Sequence, residues 1–149
     1  MIKSILVTGG NTILTESIKT IETKLKYNFI FLNNLMCDLS DYNEVYKLLT
    51  YLEPHKIIHI DKYTGMSQYN ILANENVIKA AHTSDVHDLI TCIEYNYSEP
   101  LLCEIYSENE QVLELYCKLY RESFNRNYIY IHDQSLIKQL ELILEFIDS

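Results

Sequence analysis

The chain has 149 residues, four cysteines and a formal net charge of −9. An acidic balance of this size excludes the basic patch that nucleic acids and anionic membranes require, and no apolar run reaches the roughly 18 residues of a membrane span. The length predicts one domain over residues 1–149 around one core, with no separate substrate domain.

In chain order, Ile5-Leu6-Val7-Thr8 is a short apolar, β-branched run and predicts a buried strand over 2–8. It passes into Gly9-Gly10, two of only three glycines in the chain. A strand entering Thr-Gly-Gly is how a dinucleotide-binding βαβ unit begins. Ile13, Leu14, Ile18, Ile21 and Leu25 then recur near helical spacing and predict a helix over 13–26. The second strand is Asn28-Phe29-Ile30-Phe31-Leu32. Ser40 or Asp41 can cap the next helix, with Glu44 in its first turn, and that helix ends near Glu53-Pro54.

Lys56-Ile57-Ile58-His59-Ile60 reads as the third strand, followed by a loop through Gly65 and a helix over 67–83. The fourth strand is Asp88 to Ile93, a long helix covers 105–125, and Tyr128-Ile129-Tyr130-Ile131 is the fifth strand. The last helix, 134–147, carries an apolar stripe of Leu136, Ile137, Leu140, Ile143, Leu144 and Ile147. That stripe is core, or a dimer surface where it stays exposed. Alternation at this pace predicts an α/β fold: five parallel strands with helices on both faces, doubly wound in the order 3-2-1-4-5.

The four cysteines (Cys37, Cys92, Cys103, Cys117) lack metal or redox spacing, and His55, His59, His82 and His87 lack ligand spacing, so no metal is expected. Reduced, buried thiols and a start without a signal-peptide pattern predict a cytoplasmic protein. The abundance of Ile, Asn, Lys and Tyr fits an AT-rich genome, a large DNA virus included.

The pieces that carry a family likeness are Ile5 to Gly10, Asp38-Leu39-Ser40-Asp41, Ile58-His59, the stretch Asn76 to Leu89, and the helix Tyr106 to Asn125 leading into Tyr128-Ile129-Tyr130. Together they resemble the N-terminal, NADP-binding half of GDP-L-fucose synthase, an extended short-chain dehydrogenase/reductase that epimerises and reduces a GDP-4-keto-6-deoxy sugar. The resemblance implies a Rossmann-like domain. It also implies a cofactor loop at Gly9, Gly10, Asn11 and Thr12, an adenine contact at Asp38, and a catalytic tyrosine at Tyr106.

Position by position, the chemistry departs from that pattern. Thr12 and Thr15 stand where the family has glycines, so added side-chain atoms enter the gap for the pyrophosphate. A positive φ at Thr12 would add strain of about 1–3 kcal/mol. Where the family has two small residues after the third strand this chain has Asp61-Lys62, and Asp61 would repel a pyrophosphate. Asn33-Asn34 offers neither the acid nor the arginine of a ribose reader. Glu110 takes the lysine position of Tyr-x-x-x-Lys, and a carboxylate one turn from Tyr106 disfavours tyrosinate. Ile93-Glu94-Tyr95-Asn96 replaces the family's serine motif. Cys92 reads as a buried structural thiol or, with a different gap, as the epimerising cysteine, and His132-Asp133 is a faint echo of the epimerising histidine.

Three functions remain open on these residues. One is a catalytically inactive reductase-like domain that binds a protein partner or a second copy, with no cofactor. The others are a nucleotide-binding regulator that keeps the Gly9-Gly10 anion site, and a nucleotide-sugar epimerase/reductase using NADP with its missing half supplied by another chain.

Overall fold

The computed structural model describes residues 3–9, 12–24, 26–32, 36–62, 67–94, 103–132 and 135–149. Its elements are β1 (Ser4–Thr8), α1 (Ile13–Ile21), β2 (Asn28–Phe31), α2 (Tyr42–Leu52), β3 (Lys56–Lys62), α3 (Ser67–Thr83), β4 (Asp88–Glu94), α4 (Cys103–Phe124), β5 (Asn127–Tyr130) and α5 (Leu136–Asp148). A 3₁₀ turn, Glu22–Lys24, finishes α1. The five strands form one parallel sheet, confirming the α/β Rossmann-like class.

The strand order is β2-β1-β3-β4-β5, which corrects the expected 3-2-1-4-5. The expected order needs a third strand outside β2. The segment after β2 instead dives into the helix layer: Cys37 and Leu39 are buried there, and Asn76 Nδ2 of α3 donates to the Leu39 carbonyl at 2.9 Å. The next strand therefore pairs with β1 on its other side, Val7 opposite Ile58 and Thr8 opposite His59.

Right-handed crossovers distribute the helices. The chain steps one way from β1 to β2 and the other way for every later strand, so α1 lies on one face and α2, α3 and α4 on the other. The three-helix face buries Val45, Leu49, Val77, Leu113 and Cys117 against Leu6, Ile57, Leu89 and Tyr128. The α1 face buries Leu14 and Ile18 with Ile143, Phe146 and Ile147 of α5 against Ile5, Val7, Ile58, Ile60 and Ile90. Most of the α5 stripe is thus core, while Ile137 stays 75 % exposed.

Local chemistry sets the ends of these elements. Asp41 caps α2, accepting from the Asn43 and Glu44 amides, and Glu53 ends it in the left-handed region at φ 45°. Lys56, buried at the start of β3, donates from Nζ to the carbonyls of Phe146 (2.7 Å) and Ser149 (2.8 Å) and so closes the C-terminal end of α5. At the open edge of β5, Arg121 donates to the Tyr128 carbonyl at 2.8 Å. No helix among the described residues is long and apolar enough to cross a membrane.

Gly9 leaves β1 at φ +122°, and a Cβ there would overlap the Ile60 carbonyl oxygen and lie 2.9 Å from its carbon. Conformation and close approach to β3 both demand glycine. Gly9→Ala is expected to cost about 3 kcal/mol of unfolding free energy, read as a fall in the urea midpoint.

Candidate functional site

In an open parallel sheet, ligands bind beyond the carboxyl ends of the strands, where the direction of winding reverses. Here that point lies between β1 and β3. Thr8 ends β1 and Gly9 follows it, Asp61 and Lys62 end β3, Glu94 ends β4, and the first turn of α1 stands above them.

The α1 terminus is built from its own threonines. Thr12 is the N-cap, with φ −107°, so it carries no left-handed strain and the anticipated penalty does not arise. Its Oγ1 accepts from the Thr15 amide at 3.0 Å and lies 2.6 Å from Thr15 Oγ1. Both residues are buried. The first two amides of the helix, those of Ile13 and Leu14, have a different partner. Glu94, 6 % exposed, reaches up from β4, and its Oε1 accepts from Ile13 N–H at 2.8 Å and Leu14 N–H at 3.3 Å. A helix N-terminus is the chain's natural place for an anion, and a side-chain carboxylate fills it.

On the opposite face, β1 and β3 present a buried polar relay toward α3. Thr8 Oγ1 lies 2.6 Å from His59 Nδ1, His59 Nε2 lies 2.7 Å from Asn74 Oδ1, and Asn74 Nδ2 donates to Asp61 Oδ2 at 3.1 Å. The amide orientation assigns the protons: Nε2–H donates to Asn74, and Nδ1 accepts from the Thr8 hydroxyl. Burial holds the imidazole neutral, lowering its pKa from 6.5 to about 4. Hydroxyl, imidazole and amide stand in the order of a nucleophile, its base and an orienting group. Thr8 and His59 are each 2 % exposed and Asn74 is fully buried, so the relay is closed to substrate and ties β1, β3 and α3 together.

Of the remaining predicted site residues, only Asp38 has a described side chain, and it stands apart from this crevice. Asp38 is exposed, and its carboxylate accepts from the Ser40 amide (3.0 Å) and hydroxyl (2.6 Å), closing a local turn before α2. Tyr106 and Glu110 both lie in α4, one turn apart, and the Tyr106 side chain is outside the described residues. Gly10, Asn11, the Gly65 loop, Tyr95, Asn96 and Asp133 are outside them too. Asp61 is buried and held by Asn74; the acid that reaches α1 is Glu94. Asn33 and Asn34 also fall outside the described residues.

Cys92 is buried, its thiol pKa raised by burial and then by the Glu94 and Asp61 carboxylates, which leaves it protonated. Burial likewise pushes the Cys117 thiol up to about 12. Cys37, Cys92 and Cys117 are free thiols, and no cluster of metal ligands occurs among the described residues. His132 lies exposed at the end of β5, 3.8 Å from the Glu114 carboxylate.

Sequence reasoning placed Glu94 where a serine motif would stand and did not give it a partner. The available signal was an acid ending a run of buried strand residues, on the edge where a helix begins. Nothing local singled out Asn74, whose role appears only when α3 is laid on the sheet.

No protein-family model and no curated protein sequence matches the chain. Solved structures do. A GDP-L-fucose synthetase from Naegleria fowleri superposes with a TM-score of 0.69 at 21 % identity, covering 86 % of this chain and 48 % of that one. A GDP-6-OMe-4-keto-L-xylo-heptose reductase from C. jejuni gives 0.72 at 13 % identity, with 87 % and 45 % covered. A dTDP-4-dehydrorhamnose reductase from Bacillus anthracis, in complex with NADP, gives 0.66 at 18 % identity, with 87 % and 52 % covered. The fold is that of nucleotide-sugar reductases, and the chain spans about half the length of these structures.

The neutral, buried His59 links stability to pH. Below its ordinary pKa of 6.5 the unfolded chain takes up a proton that the folded chain refuses until about 4. Stability contributed here is present above pH 6.5 and falls as the pH drops through that window, by about 3 kcal/mol in all. His59→Gln is expected to flatten this part of the pH dependence, measured by urea unfolding at pH 7.5, 6, 5 and 4.

Proposed function

We propose that this chain is a reductase-like Rossmann domain without turnover, which has given up its coenzyme and works through contacts with protein. The observation that carries the reading is the Glu94 carboxylate on the Ile13 and Leu14 amides. A dinucleotide needs those donors for its pyrophosphate. Here they are taken by a group of the same sign, which would also repel an incoming phosphate at contact distance.

Other residues point the same way. The retained Gly9 is accounted for by its approach to Ile60, so its presence argues for the fold and not for a ligand. Thr12 and Thr15 spend their hydroxyls on each other and on the helix cap. Glu110, in place of the lysine that would support tyrosinate at Tyr106, leaves a proton-transfer step without its cation. On this reading the residues present do not fit NADP, and no hydride step is assigned to them. Contact with protein is supported by Leu115 and Leu119, a pair of exposed leucines on α4.

Isothermal titration with NADPH and with NADP is the test, alongside thermal unfolding with the same ligands. The expected result is no saturable heat and no change in melting temperature. A ligand that binds the folded state at 100 times its Kd adds about 2.7 kcal/mol of stability, so a micromolar site would be plain in both measurements and would overturn the reading.

A further inference from the structure

The two faces of the sheet are covered unequally. Helices α2, α3 and α4 lie on one face, and α1 and α5 share the other. On the three-helix face α4 packs against β5, whereas on the opposite face α5 is set over β4. That second side of β5 is left as an open trough of about 840 Å³ between α5 and the border of the sheet. Its floor is Ile90, Ile129 and Ile131, and its wall is Leu142 and Phe146 of α5. Ile129 and Leu142 keep part of their surface in solvent. In a sheet covered by helices on both faces, an open apolar strip beside a packed helix is the place of one more helix.

One end of the trough is acidic. Glu145 lines it, and Asp148 follows at i+3 on α5. Both are exposed and have no ion pair among the described residues. Asn127, at the start of β5, lines the same end and donates to the Asp88 carboxylate at 2.8 Å. Lys56 is buried at that end and spends its donors on the carbonyls of Phe146 and Ser149. Further along α5, Glu141 is paired with Lys138 at 3.6 Å. At the other end of β5, His132 lies 3.8 Å from the Glu114 carboxylate.

We propose that this trough binds an amphipathic helix of another protein, its apolar stripe laid on β5 and its flank rich in lysine or arginine. Such docking seats apolar anchors at i, i+3 and i+4 in a groove. A helix on the face fits better than a strand on the border, because Arg121 already holds the Tyr128 carbonyl there. The cations of the partner meet Glu145 and Asp148, which the chain leaves without counter-charge of its own. The inference rests on the reading of the chain as a contact module and names the chemistry of the partner.

Fluorescence anisotropy tests it, with a labelled synthetic peptide of about 18 residues, leucine and lysine at amphipathic helical spacing. The expected result is saturable binding with a Kd between about 1 and 100 µM, with helix gained by the peptide in circular dichroism. The same peptide with glutamate for lysine is expected not to bind. Leu142→Asp should abolish binding, with circular dichroism of the variant as the check on folding. Glu145→Lys, at an exposed position, should weaken binding at least about tenfold, and Glu122→Lys, the same change of charge on exposed α4 surface, should leave it within about twofold. A wild type that does not bind, or equal losses in Glu145→Lys and Glu122→Lys, overturns the surface. So does a peptide that gains strand instead of helix. Binding of the apolar dye anilinonaphthalene sulfonate, lost in Leu142→Asp while the peptide stays free, gives the trough to a small ligand and overturns it too. Peptide failure in a chain that ignores NADPH overturns this surface alone, and peptide binding in a chain that takes NADPH overturns the coenzyme-free reading alone.

Discussion

The carboxyl edge of this sheet must satisfy its buried polar groups from within the chain, and the architecture around it follows from that demand. Buried donors and acceptors left unpaired are costly. Two answers are built side by side. On one face, Glu94 meets the first free amides of α1 and fastens that helix to β4. On the other, His59 bridges Thr8 to Asn74, and Asn74 holds Asp61, which fastens α3 to β1 and β3. The point where a doubly wound fold is usually open to a ligand is, in this chain, where its layers are locked together.

That arrangement links the chain's two most conspicuous features, its likeness in fold to nucleotide-sugar reductases and its departures from their residue pattern. A glycine survives at Gly9 because β3 passes too close for any side chain. At the two following positions where the likeness would place glycines, Thr12 caps α1 and Thr15 supplies the amide and hydroxyl that pair with it.

Much of the fold was legible in the sequence. Strand and helix alternate, and the α3 boundaries at Ser67–Thr83 agree with the expected 67–83. The α2 cap was narrowed to Ser40 or Asp41 by residue type, and Asp41 fills it; Thr12 was read as a replaced glycine, and its place as the α1 N-cap was not anticipated. The strand order was not legible, because it turned on whether Cys37 to Leu39 would extend the sheet or sink into the helices, and a short buried segment reads alike in either case. The crevice was half legible. The loss of glycines and the acid at Glu110 stand in the sequence, whereas the span from Glu94 to Ile13 crosses 81 residues and depends on the winding of the whole sheet.

The guanidinium of Arg121 on the Tyr128 carbonyl has a consequence for how the molecule behaves in a crowd. A bare border strand is a template on which other chains can stack into fibrils. Here a cation occupies one of the outward acceptors of β5 and places a hydrated charge against that border. Growth of the sheet from molecule to molecule is thereby discouraged on that side.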